Sequence, residues 1–198
     1  MPEGITEFLS GGSLVALLGF IRWAFEYYRK NGKSTSSYAT RQIAKIYTHL
    51  NDIVGATRAN RAVILKASNG GSIPRVGSTM YSSVVYEVFG EGQLPVSHMW
   101  EKQPLDEPYM RMLSDLLTTG KVTLHTDEMT KSSLLRDVYI SQKVGSSYVY
   151  LVHKNPQSIY YMSVTFPENA PKTAAERNLI RGRLVAVQNI FKESGVGH

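Results

Sequence analysis

The chain has 198 residues, enough for one domain with an appendage, and 42% hydrophobic against 19% charged residues gives it a core to bury. It contains no cysteine, which excludes disulfides, thiolate metal sites, iron–sulfur clusters, cysteine nucleophiles and thioether-linked chromophores. The net charge of +6 is spread among acidic groups, with 7 basic and 4 acidic residues over 1–58, 5 and 8 over 91–140, and 7 and 3 over 141–198. No basic stripe with interleaved aromatics forms, so no nucleic-acid partner is expected.

From Phe8 to Phe25 the only charge in 18 residues is Arg22, and twelve of them are apolar. As a helix this run would span about 27 Å, close to a hydrocarbon core of about 30 Å. Trp23, Tyr27 and Tyr28 gather at one end, where amphipathic rings favour the headgroup region, and Arg22 is near enough to that end to snorkel. Glu3 and Glu7 precede the run, and Arg29, Lys30 and Lys33 follow it. That order opposes a cleaved signal peptide and predicts a single-pass anchor over residues 1–30, with the rest of the chain in the cytoplasm. The alternative is a helix buried in a soluble protein or an oligomerisation arm. Residues 31–38, small and polar, read as a linker to a domain over 39–198.

Ile43, Ile46, Tyr47, Leu50, Ile53 and Val54 recur at helical spacing and predict a helix over about 40–57. A short β-branched strand follows at Arg61–Ala67, ending in the Ser68–Ser72 turn with its paired glycines. Tyr81–Phe89 alternates as a second strand, and a Gly- and Pro-bearing stretch, Gly90–Pro108, contains Trp100. A helix is expected over Tyr109–Leu117, stopped by Gly120, before a third strand at Lys121–Thr126. Ser132–Arg136 reads as a helical turn leading into Val138–Ile140. Tyr148–His153 and Ile159–Phe166 are the clearest strands, joined by a tight turn at Lys154–Gln157. Thr173-Ala-Ala-Glu176 is a capping box that opens a last helix with Ile180, Leu184, Val187 and Phe191 along one face. The expected fold class is α+β, an antiparallel sheet of five or six strands with the first and last helices packed on it.

This order of elements resembles a GAF domain, the small sensory fold related to PAS domains, over about 40–194. The resemblance rests on the opening helix, the Arg61–Ala67 strand with its Asn-Gly-Gly turn, the strand pair Tyr148–His153 and Ile159–Phe166, and the capped last helix. It implies a small-molecule ligand held between one face of the sheet and its helices and loops. It also implies first and last helices packed together on the other face, where they commonly mediate dimers. Combined with the anchor, it leads to a membrane-tethered, non-enzymatic sensory or interaction module that is a parallel homodimer. The alternative is a structural or assembly protein whose GAF-like domain only docks partners. Lack of cysteine excludes bilin attachment, and Asp127-Glu128 stands without the rest of the cyclic-nucleotide-binding signature. No kinase, cyclase or transcription module follows, so output passes through a partner or through the helices.

Candidate chemistry is sparse. None of the five histidines has metal-ligand spacing, and no metal or cofactor is expected. Gly90-Glu-Gly92 lacks the third glycine of a dinucleotide fingerprint, and neither a nucleophile elbow nor a phosphate loop is present. Asp106-Glu107 and Asp127-Glu128 read as solvated loop carboxylates, so no catalytic residue is assigned. Tyr81, Tyr86, Tyr109, Tyr148, Tyr150, Tyr160 and Tyr161 fall in or beside strands, where tyrosine packs well or lines a pocket. From the positions that flank the pocket in GAF domains, the ligand-binding candidates are Tyr86, Trp100, Tyr109 and His125.

Overall fold

The computed structural model describes residues 37–69, 78–167 and 173–194. The chain divides into two units, Met1–Ile43 and Ala44–His198. The expected anchor over 8–25 and most of the linker lie outside the described residues. No helix among the described residues is long and apolar enough to cross a membrane.

Helix α1 runs through 37–56, and its part within the second unit turns Ile46, Leu50 and Ile53 inward. Six strands follow in one antiparallel sheet: β1 (Arg61–Ser68), β2 (Tyr81–Phe89), β3 (Gln103–Pro104), β4 (Lys121–His125), β5 (Ser146–Asn155) and β6 (Ser158–Phe166). Their spatial order is β3-β2-β1-β6-β5-β4. Three further helices are α2 (Glu107–Thr119), α3 (Leu134–Ser141) and α4 (Ala174–Glu193). Helix α3 thus absorbs both Leu134–Arg136 and Val138–Ile140 of the expected turn and its continuation.

Side chains of a strand alternate between the two faces of its sheet, and here both faces are covered. Ala62 and Ile64 of β1 with Met162 and Val164 of β6 join Ile180 and Val187 of α4 in one core layer. Val63 and Leu65 of β1 with Tyr161 of β6 join Tyr109, Leu113 and Tyr139 of α2 and α3 in the other. This double burial explains why β1 and β6 read as nearly continuous apolar runs.

Local signals set the helix ends. Asp106 caps α2 by accepting from the Tyr109 amide at 3.0 Å, and Gly120 closes it in the left-handed region at φ 74°. The Thr173/Glu176 capping box is formed, and Glu176 also receives the Arg58 guanidinium through two bonds of 3.0 Å. That arginine holds the Glu176 carboxyl well below its ordinary range. Asp52 of α1 and Arg183 of α4 form a further pair at 3.1 Å.

Most of the two apolar stripes expected to pair between protomers lies in the chain's own core. Leu50, Ile180, Leu184, Val187 and Phe191 are buried, and Tyr47 and Val185 remain outward.

Candidate functional site

The α2/α3 face of the sheet encloses a cavity of about 40 Å³. Val63 and Leu65 supply its sheet wall, Tyr109 and Tyr139 its helical wall, and Val96 and Trp100 its cover. Water needs at least about 10–15 Å³, so the space holds about two or three molecules. The indole of Trp100 meets the Tyr109 ring edge-on at 5.5 Å, filling the space beneath the 90–108 segment.

Polar atoms reach this apolar interior from defined positions. Tyr161 lies at the centre of a buried hydroxyl chain, 2.7 Å from Ser82 Oγ and 2.6 Å from Tyr109 Oη. Tyr139 Oη lies 2.7 Å from Ser147 Oγ. Burial raises all three phenols above their ordinary pKa, so near neutrality they remain protonated donors.

Arg61, also on the cavity wall, is only 3% exposed through its side chain, and Glu87 only 7%. Arg61 Nε lies 3.1 Å from Glu87 Oε1 without the alignment of a directional hydrogen bond. One Nη instead donates to the Leu94 carbonyl and to Gln142 Oε1. The Glu87 carboxylate accepts from the backbone amides of Val96 at 2.8 Å and Ser97 at 3.2 Å. Burial lowers the Arg61 pKa from its ordinary value, while the negative charge of Glu87 acts in the opposite direction. The pair therefore joins β1 and β2 to residues 94–97 of the cover.

A bulge creates this arrangement. Ile64 pairs with Tyr86 but Leu65 pairs with Val84, leaving Val85 as an extra residue in β2. Ser82 and Val84 stand opposite Ala67 and Leu65 on the cavity side. Beyond Val85 the alternation reverses, so Tyr86 pairs with Ile64 on the α1/α4 side, while Glu87 pairs with Val63 on the cavity side.

No protein-family model matches the sequence, and no curated protein matches it. Among solved structures, the chain is similar to a GAF domain/HD domain protein from Geobacter sulfurreducens, with TM-score 0.58 and 12% identity over 82% of this chain and 98% of that one. It is similar to the GAF domain of a two-component sensor histidine kinase from Bacillus halodurans, with TM-score 0.53 and 8% identity over 76% and 94%. A GAF domain from Synechocystis in its photoproduct state gives TM-score 0.53 and 10% identity over 76% and 93%. The fold is GAF-like. Identities this low carry the architecture and leave the ligand open.

Within the GAF-like domain, Trp100 and Tyr109 meet at the cavity. Tyr86 does not join them. It stands on the opposite face, where its ring meets Tyr47 edge-on at 5.7 Å. His125, at the end of β4, borders a separate open hollow with Glu128 and Ser133. The sequence reading missed Arg61, Glu87 and Gln142 at the cavity and left Tyr161 among several strand tyrosines. A signal was present for Arg61, since it shares the two-residue period of Val63 and Leu65. Among the described residues, no group of three or more metal-ligating side chains converges.

Proposed function

We propose that this protein is a membrane-tethered, non-enzymatic sensory module whose small ligand enters the cavity beneath residues 90–108. The observation that carries this reading is the buried Arg61–Glu87 pair, which bonds directly to the cover at Leu94, Val96 and Ser97. A ligand offering Arg61 a better acceptor would compete with Glu87 and the Leu94 carbonyl. Loss of those contacts would loosen the cover, converting occupancy into a conformational change. The surrounding phenols supply hydrogen-bond donors for a compact polar ligand, and Trp100 would move to admit it.

A second reading is favoured by the small volume of the cavity. About 40 Å³ is filled by a few waters, as suits a docking or assembly domain whose pocket is occupied by its own side chains. Native mass spectrometry of the full-length protein released from neutral detergent separates the two. The sensory reading expects a non-covalent adduct, or a compound in a metabolite panel that stabilises by about 2.7 kcal/mol at 100 times its dissociation constant. A bare mass with no response across the panel favours docking.

Tethering is proposed from the Phe8–Phe25 run. Full-length protein should sediment with membranes, and replacing Leu17 and Leu18 with Asp should release it, since each central charge costs about 2.5–3.5 kcal/mol. A soluble full-length chain at high ionic strength would remove the anchor. The proposed parallel homodimer uses what the core leaves outward on α1 and α4, Tyr47 and Val185, and light scattering in detergent tests it.

A further inference from the structure

On the face of the sheet opposite the cavity, β4, β5 and α4 border a hollow of about 380 Å³ lined by Lys121, Tyr150, Arg177, Asn178, Arg181 and Leu184. Three of those six side chains are cations and none is a carboxylate. We infer that this hollow is a binding site for a phosphate-bearing anion, held by Lys121, Arg177, Arg181 and the Tyr150 hydroxyl.

The cations come from two elements. Lys121 opens β4 directly opposite Tyr150 of β5. Its Nζ lies 4.7 Å from the centre of the Tyr148 ring and 5.8 Å from that of Tyr150, so cation–π attraction holds the ammonium at the rim. Arg177 and Arg181 stand one turn apart on α4, where like charges repel. Neighbouring arginines are neutralised differently, Arg58 by Glu176 and Arg183 by Asp52. Lys121 and Arg181 have no ion pair among the described residues. An anion would relieve the repulsion that this grouping carries.

Tyr150 supplies the second, independent observation. It is only 7% exposed and packs into the α4-side core, yet its hydroxyl has no hydrogen-bond partner among the described residues. Burial lifts its pKa to about 12 while Arg177 pulls the other way, so the hydroxyl is a protonated donor at neutral pH. Guanidinium, ammonium, phenol and the Asn178 amide together present donors from several directions. A tetrahedral phosphate offers acceptors in several directions and suits that set better than a planar carboxylate. Tyr150 and Leu184 add an apolar floor for the group that bears the phosphate. This inference is independent of the cavity, because Tyr150 and Val149 point to opposite faces of β5.

The test titrates full-length protein in neutral detergent with inorganic phosphate, with adenosine monophosphate, and with a short-chain phosphatidylinositol phosphate placed in the same micelles, each followed by calorimetry and phosphorus NMR. Saturable binding should weaken at least tenfold in Arg181→Glu and in Lys121→Gln and stay unchanged in Arg183→Gln, whose side chain does not line the hollow. Binding of the soluble probes identifies a free phosphate compound, and binding of the lipid alone identifies a headgroup. No binding of any probe, or equal binding by wild type and Arg181→Glu, overturns the inference. Unchanged circular dichroism in Arg181→Glu, an exposed helix position, separates lost binding from lost folding.

Discussion

Replacing Tyr161 with Phe should destabilise the domain more than the same change at Tyr109, although each removes a single hydroxyl. The reason is position within the hydrogen-bonded chain Ser82–Tyr161–Tyr109. Tyr161 is the middle member, so Tyr161→Phe removes two bonds and strands two hydroxyls, one on Ser82 at 0% exposure and one on Tyr109 at 2%. An unsatisfied buried hydroxyl costs about 1–3 kcal/mol, and partial rotation toward other acceptors recovers some of it, so the expected loss is about 2–4 kcal/mol. Tyr109→Phe removes an end member. Tyr161 then keeps its bond to Ser82, and the expected loss is about 1 kcal/mol. The double variant should cost less than the sum, with a coupling of about 1 kcal/mol, because the bond between the phenols is counted in both single changes. Urea unfolding of the full-length protein, followed by tryptophan fluorescence and far-ultraviolet circular dichroism, measures all three at constant m-value. Equal losses, a larger loss at Tyr109, or strict additivity would refute the chain as an energetic unit.

Three further outcomes follow from the same structure. Glu87→Gln leaves the buried Arg61 charge without its counterion and should cost about 3–5 kcal/mol, with faster amide hydrogen exchange at Val96 and Ser97 than at Leu113 in α2. Because Glu176 has a lowered pKa in the fold, its contribution is present above its unfolded value near 4.5 and is lost as pH falls below that. Glu176→Gln should therefore lower stability at pH 7 by about 1 kcal/mol, a modest figure because its partner Arg58 is 51% exposed, and flatten the acid limb of a stability–pH curve. Gly120→Ala forces a side chain into φ 74° and should cost about 1 kcal/mol in thermal unfolding, even though nothing lies within 4 Å of the added methyl.

Features written within a few residues were legible in the sequence. Thr173 and Glu176 announce the start of α4, Gly120 ends α2, and the apolar runs of β1 and β6 mark strands covered on both faces. Each depends on backbone preference or on side chains three or four positions apart, so the chain alone carries the information. Their order sufficed for the GAF-like architecture. The start of α2 at Glu107 was also locally encoded, by Asp106 as cap and Pro108 in the first turn, but the apolar period beginning at Tyr109 concealed it.

What faces the cavity was decided only by tertiary pairing. Simple alternation along β2 would keep Tyr86 on the side of Ser82 and Val84, but the extra residue at Val85 exchanges it for Glu87. That bulge is defined by β1, whose Ile64 and Leu65 choose partners some twenty positions away, and no composition within β2 reveals it. Likewise the Ser82–Tyr161 bond joins residues 79 apart, and Arg61 becomes a buried ion rather than a solvated strand end only when β2 and the cover close over it. Helix caps and strand periods are local free-energy choices, whereas the face a side chain takes and the counterion it meets depend on register between distant segments. The sequence by itself therefore determined the elements and their order. The assembled sheet alone decided that Arg61, Glu87 and Tyr161 belong to the site with Trp100 and Tyr109, and that Tyr86 does not.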